Sequence, residues 1–153
     1  MATDQDLADE LVGTIRTWVR KDVLPVASDL EHADAYPEAL VAQMREFGLF
    51  GATIPAEYGG LDLDVMTYAR IIEELAYGWM TLSCVLNTHM IASNLIKRFG
   101  TEEQRARWLP RLATGEVRAA FSLSEPDAGS DTQALRAKAV PDGDEYVVNG
   151  TKM

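Results

Sequence analysis

The chain has 153 residues, 47% hydrophobic and 25% charged, a soluble globular balance that suffices to bury a core and fits one domain, or one domain and part of another. Its net charge of −10 argues against nucleic-acid binding, which needs a basic surface to displace counterions, but leaves room for a local basic pocket for a phosphorylated ligand. The single cysteine, Cys84, excludes an internal disulfide and fits a reducing compartment; with no signal-peptide pattern and no window near a membrane span, the expected location is the cytoplasm.

Leu7, Leu11, Ile15 and Trp18 recur at helical spacing. Thr3 is placed to cap that helix, and Asp4, Asp6, Asp9 and Glu10 lie at the positive end of its dipole. Pro25 is expected to kink or end it. A second helix starts around Tyr36-Pro37-Glu38, with proline in its first turn, Leu40, Met44 and Phe47 facing inward and Gly48 at its end. Ile54 to Gly60 reads as a loop. Asp64 caps a third helix with Tyr68, Ile72 and Leu75 on one side; Glu73 and Glu74 read as an exposed face, and Gly78 closes the helix.

A fourth helix runs from Thr81 to Phe99. Val85, Leu86, Met90, Ile91, Leu95 and Ile96 spread over more than one face, which predicts a centrally buried helix. Thr101 to Gln104 is a capping box for a fifth, carrying Trp108, Leu109 and Leu112, with a kink or late start expected at Pro110 and an end at Gly115. From Val117 the pattern turns to strands: Ala119 to Leu123 is short and strand-like, and Leu135 to Val140 and Glu145 to Val148 flank the turn sequence Pro141-Asp142-Gly143-Asp144. Asn149-Gly150 is a further hairpin signal.

The chemistry concentrates in Phe121 to Asp131, F-S-L-S-E-P-D-A-G-S-D. A strand cannot continue its ladder at Pro126. Asp127-Ala128-Gly129 supplies a tight turn, Gly129 permits close backbone approach, and successive N–H groups with the Ser130 hydroxyl suit an anion. Backbone and hydroxyl donors followed by a small anion cradle suit a ligand with a polar planar ring and a diphosphate; a serine-rich β-turn is the plain alternative. His32 and His89 lack a cysteine cluster beside them, so no metal site is expected. His89 reads as a satisfied core or pocket-wall residue. Asn87, Met90, Ala92, Ser93 and Asn94 read as pocket lining or helix packing, and Trp18, Trp79 and Trp108 as core.

Phe121 to Asp131 resembles the Ser/Thr-Glu-Pro-x-x-Gly-Ser-Asp signature of the acyl-CoA dehydrogenase family. Pro55 to Gly60, Gly100 to Gln104, Trp108-Leu109-Pro110 and Asp142 to Met153 resemble further motifs of that family in the same order, so the likeness spans nearly the whole chain. It implies a mainly α fold here: an N-terminal helical bundle over 1–116, followed over 117–153 by the first strands of a β-barrel domain. It also implies an FAD enzyme without a Rossmann turn, which removes the α-proton of an acyl-CoA thioester with a carboxylate base while the β-hydrogen leaves as hydride to flavin N5.

The resemblance places Phe121, Leu123 and Ser124 at the flavin, with the Ser124 hydroxyl near its reactive edge, Gly129 and Ser130 at the FAD pyrophosphate, and Ser130 also at the CoA side of the substrate. Asp127 stands where small residues are common and is expected to face solvent or a cation, while Glu125 and Asp131 are expected to be structural. The Phe121-Ser122-Leu123-Ser124 spelling resembles short- or branched-chain members. An electron-transfer flavoprotein partner and a homotetramer are also implied. In the family a Trp-Ile-Thr strand, the rest of the barrel and a C-terminal bundle with the general base would follow Met153, so no catalytic residue is assigned within 1–153. Alternatives are a non-catalytic helical interaction subunit of a split complex and a same-fold acyl-CoA oxidase or flavin monooxygenase.

Overall fold

The computed structural model describes residues 4–153; the proposed Thr3 cap and the Asp4 side chain lie outside the described residues. The chain divides into two compact units, Met1–Ala120 and Phe121–Met153.

The first unit is helical. Helix α1 (Asp4–Trp18) continues through a π turn (Val19–Val23) into α2 (Leu24–His32). Pro25 therefore does not end the helix. Its ring would press on the carbonyl four residues back, and the widened turn just before it relieves that contact, with the Leu24 N–H reaching back to the Val19 carbonyl. The buried face of α1 is also turned from the expected stripe: Leu7 is 55% exposed and Leu11 half-buried, whereas Ala8, Val12, Ile15, Trp18 and Val19 are inside. Both stripes have helical spacing, and the packing partner α4 selects between them.

Helix α3 (Glu38–Glu46) buries Leu40, Val41 and Met44, and Pro37 sits at its N-cap rather than inside its first turn. Gly60 follows the short 3₁₀ turn Ala56–Tyr58, and a Cβ there would lie 1.9 Å from the Ile54 carbonyl oxygen, so only glycine lets the loop close. Helix α4 (Val65–Gly78) is capped by Asp64, whose Oδ1 accepts from the Met66 and Thr67 N–H groups at 2.8 and 3.1 Å. Glu74 overturns the exposed-face expectation. It is buried, and both Nε and Nη2 of Arg16 on α1 reach its Oε1 at 2.7 Å.

Helix α5 (Met80–Phe99) starts one residue earlier than expected because Trp79 is fully extended and breaks the backbone from α4. It buries one face, with Leu82, Ser83, Leu86, His89, Met90 and Ser93, while Ile91, Leu95 and Phe99 are exposed, so the expectation of burial on several sides fails among the described residues. Helix α6 (Glu102–Ala113) opens with both halves of the Thr101–Gln104 capping box formed and runs on through Pro110.

Helix α4 packs on both α1 and α5, and α5 packs on α6. The main core gathers Ile15, Met44, Phe50, Ile71, Leu75, Leu82 and Leu86; burying each such side chain contributes on the order of 1.5–3 kcal/mol. A smaller cluster of Ile54, Leu109, Leu112 and Ala113 lies under α6.

The second unit contains the hairpin β1 (Lys138–Asp142) and β2 (Glu145–Asn149), antiparallel with Val140 opposite Val147. Its turn is Gly143-Asp144, with Gly143 at φ 62°, so Pro141 and Asp142 belong to β1 rather than to the turn. Asn149-Gly150 does not form a second hairpin; Asn149 ends β2. Ala119 to Leu123 forms no strand, because among the described residues no segment pairs with it.

Candidate functional site

The segment singled out by its chemistry is a pinned loop. The Glu125 N–H donates to the Ala128 carbonyl (2.8 Å) and the Ala128 N–H returns to the Glu125 carbonyl (3.2 Å), closing a four-residue turn with Pro126, which has no N–H to lose, second in it. Ala128, the last residue of this turn, is buried, while Asp127 is exposed with its carboxylate 3.5 Å from the Arg136 guanidinium, as expected. Asp131 accepts from the Gln133 N–H at 3.2 Å and is structural.

Glu125 organises the rest. Its side chain is 7% exposed and accepts from the Arg136 N–H (2.7 Å), the Ala137 N–H (3.0 Å) and Lys152 Nζ (3.0 Å). The Arg136 amide first, then the Ala137 amide and Lys152, hold its pKa down to about 2, because each stabilises the ionised form. Lys152 also donates to the Leu123 carbonyl at 2.8 Å, and the Met153 N–H to the Ser124 carbonyl at 3.0 Å. Sequence reasoning missed this use of Lys152 and of the Arg136 and Ala137 amides. The available signal was an acid directly beside the serines and a lysine at the end of the matching hairpin motif.

With those carbonyls engaged, the donors on the same segment stay free. Among the described residues, the Ser124 N–H and hydroxyl, the Gly129 and Ser130 N–H groups and the Ser130 hydroxyl have no protein partner. Ser124, Gly129 and Ser130 are exposed, Phe121 is 39% exposed, and Leu123 is half-buried. A Cβ on Gly129 would meet nothing within 4 Å, so its backbone is open to close approach. Free N–H and O–H donors on both sides of one tight turn, with the nearby Asp127 carboxylate held beside Arg136, fit a ligand carrying a polar ring edge and a diphosphate. FAD has both.

The helical unit carries a second polar feature. His89 is 1% exposed; its Nδ1 accepts from the Ala119 N–H (3.2 Å), which leaves the ring proton on Nε2 to be donated to the Phe50 carbonyl (3.2 Å). Burial pushes its pKa down. It is a satisfied core residue beside an open groove of about 240 Å³ lined by Tyr36, Phe50, Val85, Thr88 and Arg118. Of its neighbours on α5, Met90 and Ser93 are buried and Asn87 is exposed, accepting from Tyr68 Oη at 3.3 Å. Trp18 and Trp79 are core, while Trp108 is half-buried with the Arg107 and Arg111 guanidinium groups 4.9 and 5.6 Å from its ring. Among the described residues, no three His, Cys, Asp or Glu side chains gather as metal ligands, and no helix is long and apolar enough to cross a membrane.

The family profile described as "Acyl-CoA dehydrogenase, N-terminal domain" matches residues 5–116. The chain belongs to the acyl-CoA dehydrogenase family. This is a family of oxidoreductases, and its helical N-terminal domain followed by the start of a β-domain is the architecture found here.

A short-chain-specific acyl-CoA dehydrogenase of Clostridium acetobutylicum is 35% identical over 154 aligned positions, covering 100% of this chain and 40% of that protein. A glutaryl-CoA dehydrogenase of Mycobacterium smegmatis solved in complex with FADH2 superposes with a TM-score of 0.87 at 30% identity, over 99% of this chain and 39% of that one. A chain solved in work on the electron transferring flavoprotein of Acidaminococcus fermentans gives 0.87 at 32% identity, over 99% of this chain and 40% of that one. Residues 1–153 thus span about two fifths of the length of the Bacillus subtilis and Clostridium acetobutylicum acyl-CoA dehydrogenases they match.

Proposed function

We propose that residues 1–153 form the N-terminal part of an FAD-dependent enzyme that dehydrogenates an acyl-CoA thioester between its α- and β-carbons. The observation that carries this reading is the Phe121–Asp131 segment, which has the family signature and leaves the Ser124, Gly129 and Ser130 donors without a protein partner among the described residues while the Leu123 and Ser124 carbonyls are pinned. The relative solved with FADH2 supports the choice of flavin.

In this reading residues 1–116 are the helical domain and 117–153 begin the β-barrel domain. Phe121, Leu123 and Ser124 meet the flavin ring, with the Ser124 hydroxyl donating near its reactive edge. Gly129 and Ser130 hold the pyrophosphate through N–H and O–H donors, and Ser130 also touches the CoA portion of the substrate. Bound there, FAD supplies the acceptor for the β-hydride. The chain's own residues orient the ring and the diphosphate; they supply half of the flavin site and no residue assigned as the general base, so 1–153 alone neither retains FAD tightly nor turns over. We further assign a cytoplasmic homotetramer that passes electrons to an electron-transfer flavoprotein, consistent with the lone Cys84 and with the similar chain from the Acidaminococcus work.

The test compares two polypeptides: the product of the complete reading frame containing these residues, and residues 1–153 alone. The complete product should purify yellow and oxidise short or branched acyl-CoA thioesters with an artificial electron acceptor, and the reduced protein should react slowly with oxygen. Residues 1–153 should hold FAD well below one equivalent. A complete product that binds no FAD overturns the flavin reading. Fast reoxidation by oxygen makes it an oxidase instead.

A further inference from the structure

Glu125 and Lys152 form a pair whose arrangement exceeds what closing a turn requires. The Glu125 carboxylate joins the turn segment to the Arg136 and Ala137 amides and to Lys152, tying together three stretches of chain. Lys152 then spans from that carboxylate to the Leu123 carbonyl, 2.8 Å from its ammonium. That carbonyl belongs to the peptide linking Leu123 to Ser124. A cation on the oxygen of an amide draws electron density toward it, so the N–H of the same amide, that of Ser124, becomes a stronger donor. This N–H has no protein partner among the described residues. The Met153 N–H on the Ser124 carbonyl, at 3.0 Å, fixes the next peptide as well.

The geometry points to Glu125 and Lys152 as positioning residues for the flavin: the pair holds the Leu123-Ser124 edge in place and sets the donor strength of the Ser124 amide through the charge on the Leu123 carbonyl. This inference rests on the flavin reading above. It makes a prediction that a merely structural clamp does not. Glu125 and Lys152 carry opposite charges beneath the same peptide. Without Lys152 an uncompensated carboxylate remains, which disfavours the extra negative charge of reduced flavin; without Glu125 an uncompensated ammonium remains, which favours it. The two losses should move the flavin's reduction potential in opposite directions, whereas loosening of a clamp would move both the same way.

The experiment uses the complete polypeptide with Lys152→Gln, Glu125→Gln, the double Gln variant and Lys152→Arg. Without FAD, Glu125→Gln should speed amide hydrogen exchange at Arg136 and Ala137 by about tenfold or more, the factor for one charge-assisted hydrogen bond. Unchanged exchange there overturns the clamp. With FAD bound, Lys152→Gln should lower the potential and Glu125→Gln raise it. The double variant should fall between the two single variants, and Lys152→Arg should hold the potential. Shifts of one sign, or none, in variants that still fold and bind FAD overturn the inference alone and leave the flavin reading intact. Absence of bound FAD in the unsubstituted polypeptide overturns both. If Glu125→Gln does not fold, Lys152→Gln and Lys152→Arg still decide the outcome: a potential lowered in the first and held in the second supports the pair, and anything else overturns it.

Discussion

The two units hold their shape by different means. Met1–Ala120 is built around apolar side chains that helices bring together from distant positions, and its buried polar side chains, Glu74 and His89 among them, meet partners. In Phe121–Met153 every position of β1 and β2 is exposed, Ala128 is the buried apolar side chain, and one carboxylate does the gathering. The contrast shows two routes to a defined backbone. One buries area and tolerates approximate chemistry; the other spends little area and depends on particular donors and acceptors. A loop that must present unpartnered N–H groups to a ligand is better served by the second, because an apolar core would cover them.

If that contrast is right, truncations in the first unit dominate stability. Phe50 is 1% exposed and meets the His89 ring edge-on at 5.0 Å. Phe50→Ala should cost about 3–5 kcal/mol of unfolding free energy, through lost transfer and a residual cavity, measured by urea denaturation followed by far-UV circular dichroism. A loss below about 1 kcal/mol would mean that the core is loosely packed and that the two units differ less than their burial indicates.

Acid should separate the units by pH window. His89 is held neutral, with its pKa below the ordinary histidine value of 6.5, mainly by burial. The unfolded state therefore binds the proton more readily. The stabilisation is complete above the ordinary value and is lost as pH falls below it, with a slope of at most about 1.4 kcal/mol per pH unit. Protonation would also set a proton on Nδ1 against the Ala119 N–H it now accepts from. Glu125 behaves differently. Its pKa is lowered from 4.5 to about 2, so its contribution is fully present above the ordinary carboxylate range and is lost progressively as pH falls from there through about 2. Urea midpoints from pH 8 to 5, with and without His89→Gln, and carbon NMR of the Glu125 carboxyl from pH 5 to 1.5 test the two limbs. A Glu125 midpoint near 4.5 would remove the polar account of the second unit.

The difference between the units also explains what could be read in the sequence. Helices, the Asp64 cap and the Thr101–Gln104 box were legible because each rests on residues a turn apart. Thr101→Ala should accordingly cost about 1 kcal/mol, read as a lowered urea midpoint. The orientation of α1 was not legible, since Leu7-Leu11 and Ala8-Val12 fit one period equally well and α4 decides between them. Glu74 looked solvated because its partner Arg16 lies on another helix, 58 residues away in sequence. The site loop was legible as motif chemistry, yet Ala119 to Leu123 was misread as a strand, because a strand requires a partner that local sequence does not supply. The Glu125–Lys152 contact spans 27 positions and has no periodic signature.

The smallest effect probes the exposed hairpin. Val148 on β2 is 72% exposed and lies opposite Ala139. Val148→Thr keeps the β-branched shape and removes only apolar surface, so it should change stability by less than about 0.5 kcal/mol. Val140 and Val147 are also exposed, and an apolar hairpin in water is marginal on its own. The hairpin must therefore gain its order through the chain on either side of it, which is where Glu125 binds Arg136 and Ala137 before β1 and Lys152 after β2. Amide exchange across β1 and β2 should thus change little in Val148→Thr and much more in Glu125→Gln. A cost for Val148→Thr comparable to that of a core truncation would show that this face is covered in solution, and that apolar burial supports the second unit as it does the first.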